Sequence, residues 1–336
     1  MPQARPNTRS RSVKMPPHNP SSTGKSEIVS PRTAYILFIG IIIIWGVNWP
    51  IMKIGMEDIP PITFAASRML MGAICFLALN AALGKLRLPP RGDWPVVLSV
   101  GVLQMAGFQI LIYLGLMTVD AGRSAMVAYT TPLWVVPAAI LILKEKVRPL
   151  KLLGMVVGLS GLALLFAPWT LNWTDSGVLI GHGWLLMAAI GWAGLMLHIR
   201  AHQWQSSPLE LMPWQFLIAC VIGLPLAMWL EADQSINWTV QSVAILAYNG
   251  PLATAFCFWA SVTVNRALPA ATTSLSFLGV PMMGIASAVW LLGERLSLTD
   301  WIGIIAISAG LLFVAQADRR QKATTTVKNT QVKEKT

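Results

Sequence analysis

Few residues in this chain have the chemistry to bind a molecule, and most of them stand alone in apolar surroundings. Arg68, in FAASRMLMG, is the only charged residue well inside an apolar run. A guanidinium there has several readings. It holds an anion or carboxylate, it anchors a gate, or it snorkels to the edge of the run and bonds neighbouring carbonyls. Asn48 is a lone amide in WGVNWP, flanked by Trp45 and Trp49. Pro50 removes a helix hydrogen bond and frees a carbonyl about a turn earlier, which a ligand or a simple kink would use. Gln104, Gln109 and Tyr113 fall roughly on one helical face. Tyr129, Thr130 and Thr131 precede Pro132. Tyr248 and Asn249 precede Pro251, with Trp259 beyond, and Thr272, Thr273, Ser274 and Ser276 precede Pro281. Such hydroxyls also serve structure, bonding backbone within a helix or gluing helices together. Among the tryptophans, Trp134, Trp192, Trp214 and Trp259 lie away from the ends of apolar runs. Amides, aromatic rings and one cation form walls suited to an amphipathic small molecule. The candidate binding set is Asn48, Arg68, Gln109, Tyr129, Trp192, Trp214, Tyr248, Asn249 and Trp259.

Catalytic chemistry is missing. Cys75, Cys220 and Cys257 are far apart inside apolar runs, with no metal-ligand spacing. His198 and His202 are four apart, but no HExxH pattern and no acid or thiol is near them in sequence. All 14 Asp and Glu residues lie in tails or near the ends of apolar runs. No phosphate-binding loop is present, so ATP is not the driver. No cofactor, no metal and no enzyme activity is expected.

The elements that must position these residues are read from composition. The 336 residues are 55% hydrophobic and 12% charged, with a mean hydropathy of +0.61; a soluble domain carries about 25% charged residues. Ten apolar segments follow, at about 33–53, 62–83, 93–115, 121–143, 149–168, 177–200, 209–231, 239–264, 269–292 and 298–317. An all-α membrane protein is the expected fold class. Residues 1–32 are polar and predict a disordered tail, and residues 318–336 form a second tail. The net charge of +11 is not a nucleic-acid footprint. Of the 25 Lys and Arg, 21 fall in the tails or alternate loops and three on the opposite side. That asymmetry predicts a multi-pass membrane protein with both termini in the cytoplasm.

The segments are organised by a repeat. AGRSAMVAYTTPLWVVPAAILILKEKVRPLKLLGMVVGLSGLALLF, from Ala121, is echoed by AATTSLSFLGVPMMGIASAVWLLGERLSLTDWIGIIAISAGLLFVA, from Ala270. At an offset of 149, Pro132 falls on Pro281, Glu145 on Glu294, Gly154 on Gly303 and Gly161 on Gly310. Trp45-Gly46 likewise sits opposite Trp192-Ala193. Residues 33–168 and 177–317 are thus two five-helix repeats, and an odd number of spans per repeat makes them inverted. A kinked apolar helix with Pro132 or Pro281, a tight turn with Glu145 or Glu294, and a Gly-bearing helix resemble the end of an EamA domain of the drug/metabolite transporter superfamily. The resemblance covers roughly 33–317. One departure is Lys144, in LKEKV, where the second copy reads LGERL and the family usually has a small residue.

The resemblance implies a secondary transporter of the bacterial inner membrane, exporting small metabolites, such as amino acids or related compounds, or drugs; an uptake permease of the same fold is the alternative. The inverted repeat implies alternating access, with Glu145 and Glu294 in gates or paired with basic neighbours such as Lys144, Lys146 and Arg295. An intramembrane enzyme lacks a nucleophile with its base, and a channel needs a continuous polar stripe. Partners are a small-molecule substrate and the bilayer. Gly154, Gly158 and Gly161 give a small-residue face for a contact within a monomer or between the chains of a homodimer.

Overall fold

Backbone in a bilayer must satisfy its own hydrogen bonds, and every regular element among the described residues is helical. The computed structural model describes residues 28–119, 121–145, 147–166, 174–292 and 298–333. The elements are α1 (Pro31–Asp58), α2 (Pro61–Ala82), α3 (Arg91–Thr118), α4 (Arg123–Leu141) and α5 (Pro149–Phe166), then α6 (Ser176–Ala201), α7 (Pro208–Leu230) and α8 (Val240–Ala267). Last come α9, as Ala270–Ser276 continuing into Gly279–Leu292, and α10 (Leu298–Lys333). Eight of these, α1–α4 and α6–α9, are long and apolar enough to cross a membrane; α5 and α10 contribute shorter apolar stretches, Pro149–Leu164 and Trp301–Ala317.

Starts are written locally. Ser30 caps α1 by accepting from Thr33 N at 3.1 Å, with Pro31 opening the helix. Ser207 with Glu210 and Thr239 with Ser242 form capping boxes for α7 and α8. The boundary at residue 33 moves back to Pro31, because the capping serine lies earlier than the apolar run. At the other end α10 passes residue 317 unbroken, so polarity changes there but helix does not. The disorder expected for 1–27 and the turn holding Glu294 lie outside the described residues.

Packing follows the sequence repeat. α2 packs on α7 and α5 on α10, so each meets its own counterpart. The contacts of α3 and α4 with α6 return as those of α8 and α9 with α1. Even irregularities repeat: α3 widens into a π-helical segment at Val100–Phe108 and α8 at Asn249–Phe256, where Pro251 cannot donate. The molecule is therefore two repeats related by an approximate two-fold exchange.

The glycine face on α5 is used inside the chain. A Cβ on Gly154 would lie 2.7 Å from Gly310 O, and one on Gly161 would lie 2.6 Å from Gly303 O. Exchange of the repeats turns the first pair into the second. Backbone approach this close needs residues without a side chain.

Gly154→Leu should therefore lower stability by about 3 kcal/mol, the upper end of overpacking costs, read as the thermal midpoint of the detergent-solubilised protein. Gly191→Leu on α6, where nothing lies within 4 Å, should leave it unchanged or slightly raised, leucine being roughly 0.8 kcal/mol better in a helix.

Candidate functional site

A cavity lies between the two halves. Trp45, midway along α1, meets Trp192 of α6 edge-on at 5.8 Å between ring centroids. Phe258 lies 5.6 Å from Trp45, and Phe108 4.6 Å from Trp192. Phe277 stacks on Trp45 at 5.9 Å and sits 6.4 Å from Tyr129. Three of these six rings come from each half, and Trp45 and Trp192 occupy corresponding places in the two repeats. The wide turns of α3 and α8 end at Phe108 and at Phe256, two residues before Phe258. The cavity volume is about 40 Å³, far below the roughly 300–1,000 Å³ of an open small-molecule site, so the rings are closed on one another.

Arg68 on α2 supplies the charge. It is 2% exposed, and its Nε donates to Thr254 Oγ1 at 2.8 Å. Nη1 donates to Met52 Sδ and to Tyr113 Oη, each at 3.0 Å. Nη2 makes no hydrogen bond to a described residue, and none of the described carboxylates lies within 4 Å of the guanidinium. The cation is thus held by neutral groups and lines the cavity. Two amides join it. Gln109 Nε2 and Asn48 Oδ1 are buried without partners, and both residues line the same space. Gln109 thus offers a free donor and Asn48 a free acceptor. The lining holds no Asp or Glu. What this arrangement can do is bind: it has an apolar aromatic frame, one anion-seeking group and two free amide valences, and no nucleophile.

Two segments, residues 32–167 and 179–316, each match the EamA-like transporter family. The chain belongs to that family. Among relatives, the uncharacterized transporter YoaV of Bacillus subtilis is 28% identical over 285 residues, 84% of this chain and 97% of that protein. A protein of Escherichia coli named "Probable amino-acid metabolite efflux pump" is 23% identical over 300 residues, 86% and 96% of the two chains. A solved crystal structure, 21% identical, covers 87% of this chain and 99% of its own with a TM-score of 0.69, a likeness of fold. This EamA-family chain is an integral membrane transporter with a small-molecule substrate, not an enzyme.

The structure brings Asn48, Arg68, Gln109, Tyr129 and Trp192 of the sequence-predicted set together at the cavity. Others lie elsewhere. Trp214 Nε1 donates to Arg87 O at 2.9 Å at one end of the bundle. Tyr248 Oη donates to Ile44 O at 2.8 Å, and Asn249 Nδ2 to Ile245 O of its own helix at 3.1 Å. Trp259 is half-buried beside Phe256 at 6.0 Å, and Trp134 is 39% exposed. Hydroxyls before the prolines bond the preceding turn: Thr130 to Val127 O, Thr131 to Ala128 O, Ser274 to Ala271 O. His202 has an acid after all. Asp93, 109 residues earlier, sits 3.1 Å from its Nε2 and also accepts from Gln205 N and Ser206 N. Met52, Ile112 and Thr254 escaped the sequence reading, since nothing local marks a methionine, isoleucine or threonine that faces an arginine in space.

The turn with the family glutamate is a helix cap. Glu145 N donates to Ala139 O at 3.0 Å, six residues back, which requires a left-handed residue between; Lys144 has φ 53°. Glycine adopts that backbone freely and lysine does not, which explains the small residue usual there. The cap aims the Glu145 carboxylate across the repeats. Oε1 accepts from Ala270 N at 2.9 Å and Oε2 from Ala271 N at 3.3 Å, tying the end of α4 to the start of α9, while Arg200 Nε lies 3.9 Å away. Pro132 is buried at the start of the second half of α4, and Pro281 is buried in α9.

Two outcomes follow, both read by thermal unfolding in detergent. Lys144→Gly should stabilise by about 1 kcal/mol, the cost of a side chain in the left-handed region. Thr254→Val, near-isosteric, leaves a buried charged donor unmet and should destabilise by about 1–3 kcal/mol.

Proposed function

We propose that this EamA-family chain exports small amphipathic metabolites, amino acids or related compounds, by alternating access between two inverted five-helix repeats. In this reading ten helices span a bacterial inner membrane, α5 and α10 included, with both tails in the cytoplasm. The observation that carries it is a cavity between the two halves, walled by three aromatic rings from each, with the unmatched Arg68 inside. A site between such halves is exposed by rocking one against the other. The name of the Escherichia coli relative, "Probable amino-acid metabolite efflux pump", supports export as the direction and this substrate class. Asn48, Gln109, Tyr129 and Trp192 act with Arg68 as the binding set.

Glu145 is the latch at the cytoplasmic end. Its two backbone partners are unmet donors of the first turn of α9, and a carboxylate there is favoured by the helix dipole. Such a bond is easily exchanged for water at a helix end, so it closes a gate without locking it. Glu294, at the equivalent repeat position, takes the same part at the outer end, with Pro132 and Pro281 at the pivots. A multidrug exporter of the same fold is the second reading, favoured by the aromatic walls.

The test is an efflux panel in cells expressing the chain: amino acids, their toxic analogues, monocarboxylates, polyamines and cationic dyes. Efflux of one metabolite class, lost with Arg68→Ala at matched membrane expression, is the expected result. Export of dyes alone would favour the multidrug reading, and no export of any compound would overturn both. Glu145→Gln should cut the efflux rate severalfold while binding to the purified protein stays within about twofold, because the latch lies outside the cavity.

A further inference from the structure

The cavity's charges are one-sided. Arg68 is buried, and a buried cation without a counter-charge costs several kcal/mol unless something compensates it. Its three protein partners, Thr254, Met52 and Tyr113, are all neutral. Described carboxylates elsewhere are committed to helix ends: Glu145 to α9, Glu231 to Ile62 N and Thr63 N of α2 at 2.8 and 2.7 Å, and Asp93 to Gln205 N and Ser206 N. None lines the cavity. Free donor capacity at Arg68 Nη2 and Gln109 Nε2 suits the two oxygens of a carboxylate.

An ammonium group finds the opposite. Its only neutral acceptor without a partner among the amides described above is Asn48 Oδ1, and a single amide oxygen offsets little of a full desolvated charge. The aromatic faces that attract cations are largely turned on one another, as in the Trp45–Phe277 stack. The Arg68 charge in the same low-dielectric space repels a second cation.

Resting on the exporter reading above, we infer that the cavity selects monocarboxylates without a free ammonium group, carried on an aromatic or branched apolar body. Arg68 and Gln109 hold the carboxylate, Asn48 offers one further hydrogen bond to a neutral substituent, and the six rings enclose the body. Zwitterionic amino acids are weaker ligands than their deaminated counterparts, and amines are excluded. The polar groups Asn48, Arg68 and Gln109 all come from the first repeat, so the carboxylate end always faces that half.

Three probes share one benzyl group and differ only in charge: 3-phenylpropanoate, phenylalanine and phenethylamine. Binding of each to the full chain in nanodiscs of neutral lipid, at neutral pH, is read from tryptophan fluorescence and calorimetry. The expected order is 3-phenylpropanoate tighter than phenylalanine by roughly tenfold or more, with phenethylamine not bound, the size of a charged hydrogen bond gained or lost. Arg68→Gln should remove the preference, and Arg68→Lys should keep part of it. If Arg68→Gln does not fold, the ranking on the unmodified chain decides alone. Phenylalanine or phenethylamine binding as well as the carboxylate, or none of the three binding, overturns the inference. Proteoliposome counterflow with the wider panel separates the two levels: movement of another class with no carboxylate preference leaves a transporter and removes this selectivity, whereas movement of nothing removes the transporter reading itself.

Discussion

Arg68 keeps a full positive charge where water is scarce, and such a charge survives only if its donors are occupied and its surroundings rigid. Three helices are recruited for that purpose. α1 brings Met52, α3 brings Tyr113, and the wide segment of α8 brings Thr254 within 2.8 Å of Nε. All three partners are neutral, which leaves the charge available to a ligand. A carboxylate at the same place would have neutralised the site and made it structural. The irregular backbone of α8 is thus tied to chemistry: Pro251 breaks the regular ladder, the helix widens, and the widened segment holds the acceptor for the guanidinium.

The second organising fact is symmetry and where it fails. Packing obeys the exchange of repeats closely, from the paired glycine contacts of α5 and α10 to Gly101 and Gly250. Those two are also 149 apart in sequence, and an added Cβ would meet α7 and α2 respectively. The rings around the cavity are shared evenly, three from each half, whereas Asn48, Arg68 and Gln109 all belong to the first repeat. Divergence of one copy thus leaves a polar end in a frame built by duplication, and in the proposed binding mode this gives a ligand its orientation.

Much of this was legible in the sequence. The 149-residue offset identified the repeats and, through Gly154, Gly161, Gly303 and Gly310, the residues that close α5 against α10. Whether that face served a monomer or a dimer was not legible, because small-residue spacing says that helices meet but not which ones. Asn48, Arg68, Gln109, Tyr129 and Trp192 converge because a polar or aromatic residue within an apolar run has few alternatives to an interior site. Trp214, Tyr248 and Trp259 satisfied the same rule by other means, at a loop carbonyl, a neighbouring backbone and a half-buried flank. Asp93 and Glu231 were invisible as structural hubs. Their partners lie more than 100 residues away, and a helix-end acid looks the same in sequence whether it faces water or another helix's first turn.

The placement of those acids bears on how a closed bundle could still work. Asp58, Asp93, Glu145 and Glu231 all act at helix ends, joining one helix to the start or flanking loop of another. Bonds at the ends can be traded for water at little net cost, since unmet backbone donors and carboxylates both hydrate readily. The α5–α10 contact is different in kind. It is close-packed backbone with no polar group to rehydrate, and separating it would open voids that nothing fills. In the proposed cycle the ends therefore part first, about the pivots at Pro132 and Pro281, while the glycine seam keeps α5 against α10. The cavity between the halves then changes the side to which it opens while its lining stays together.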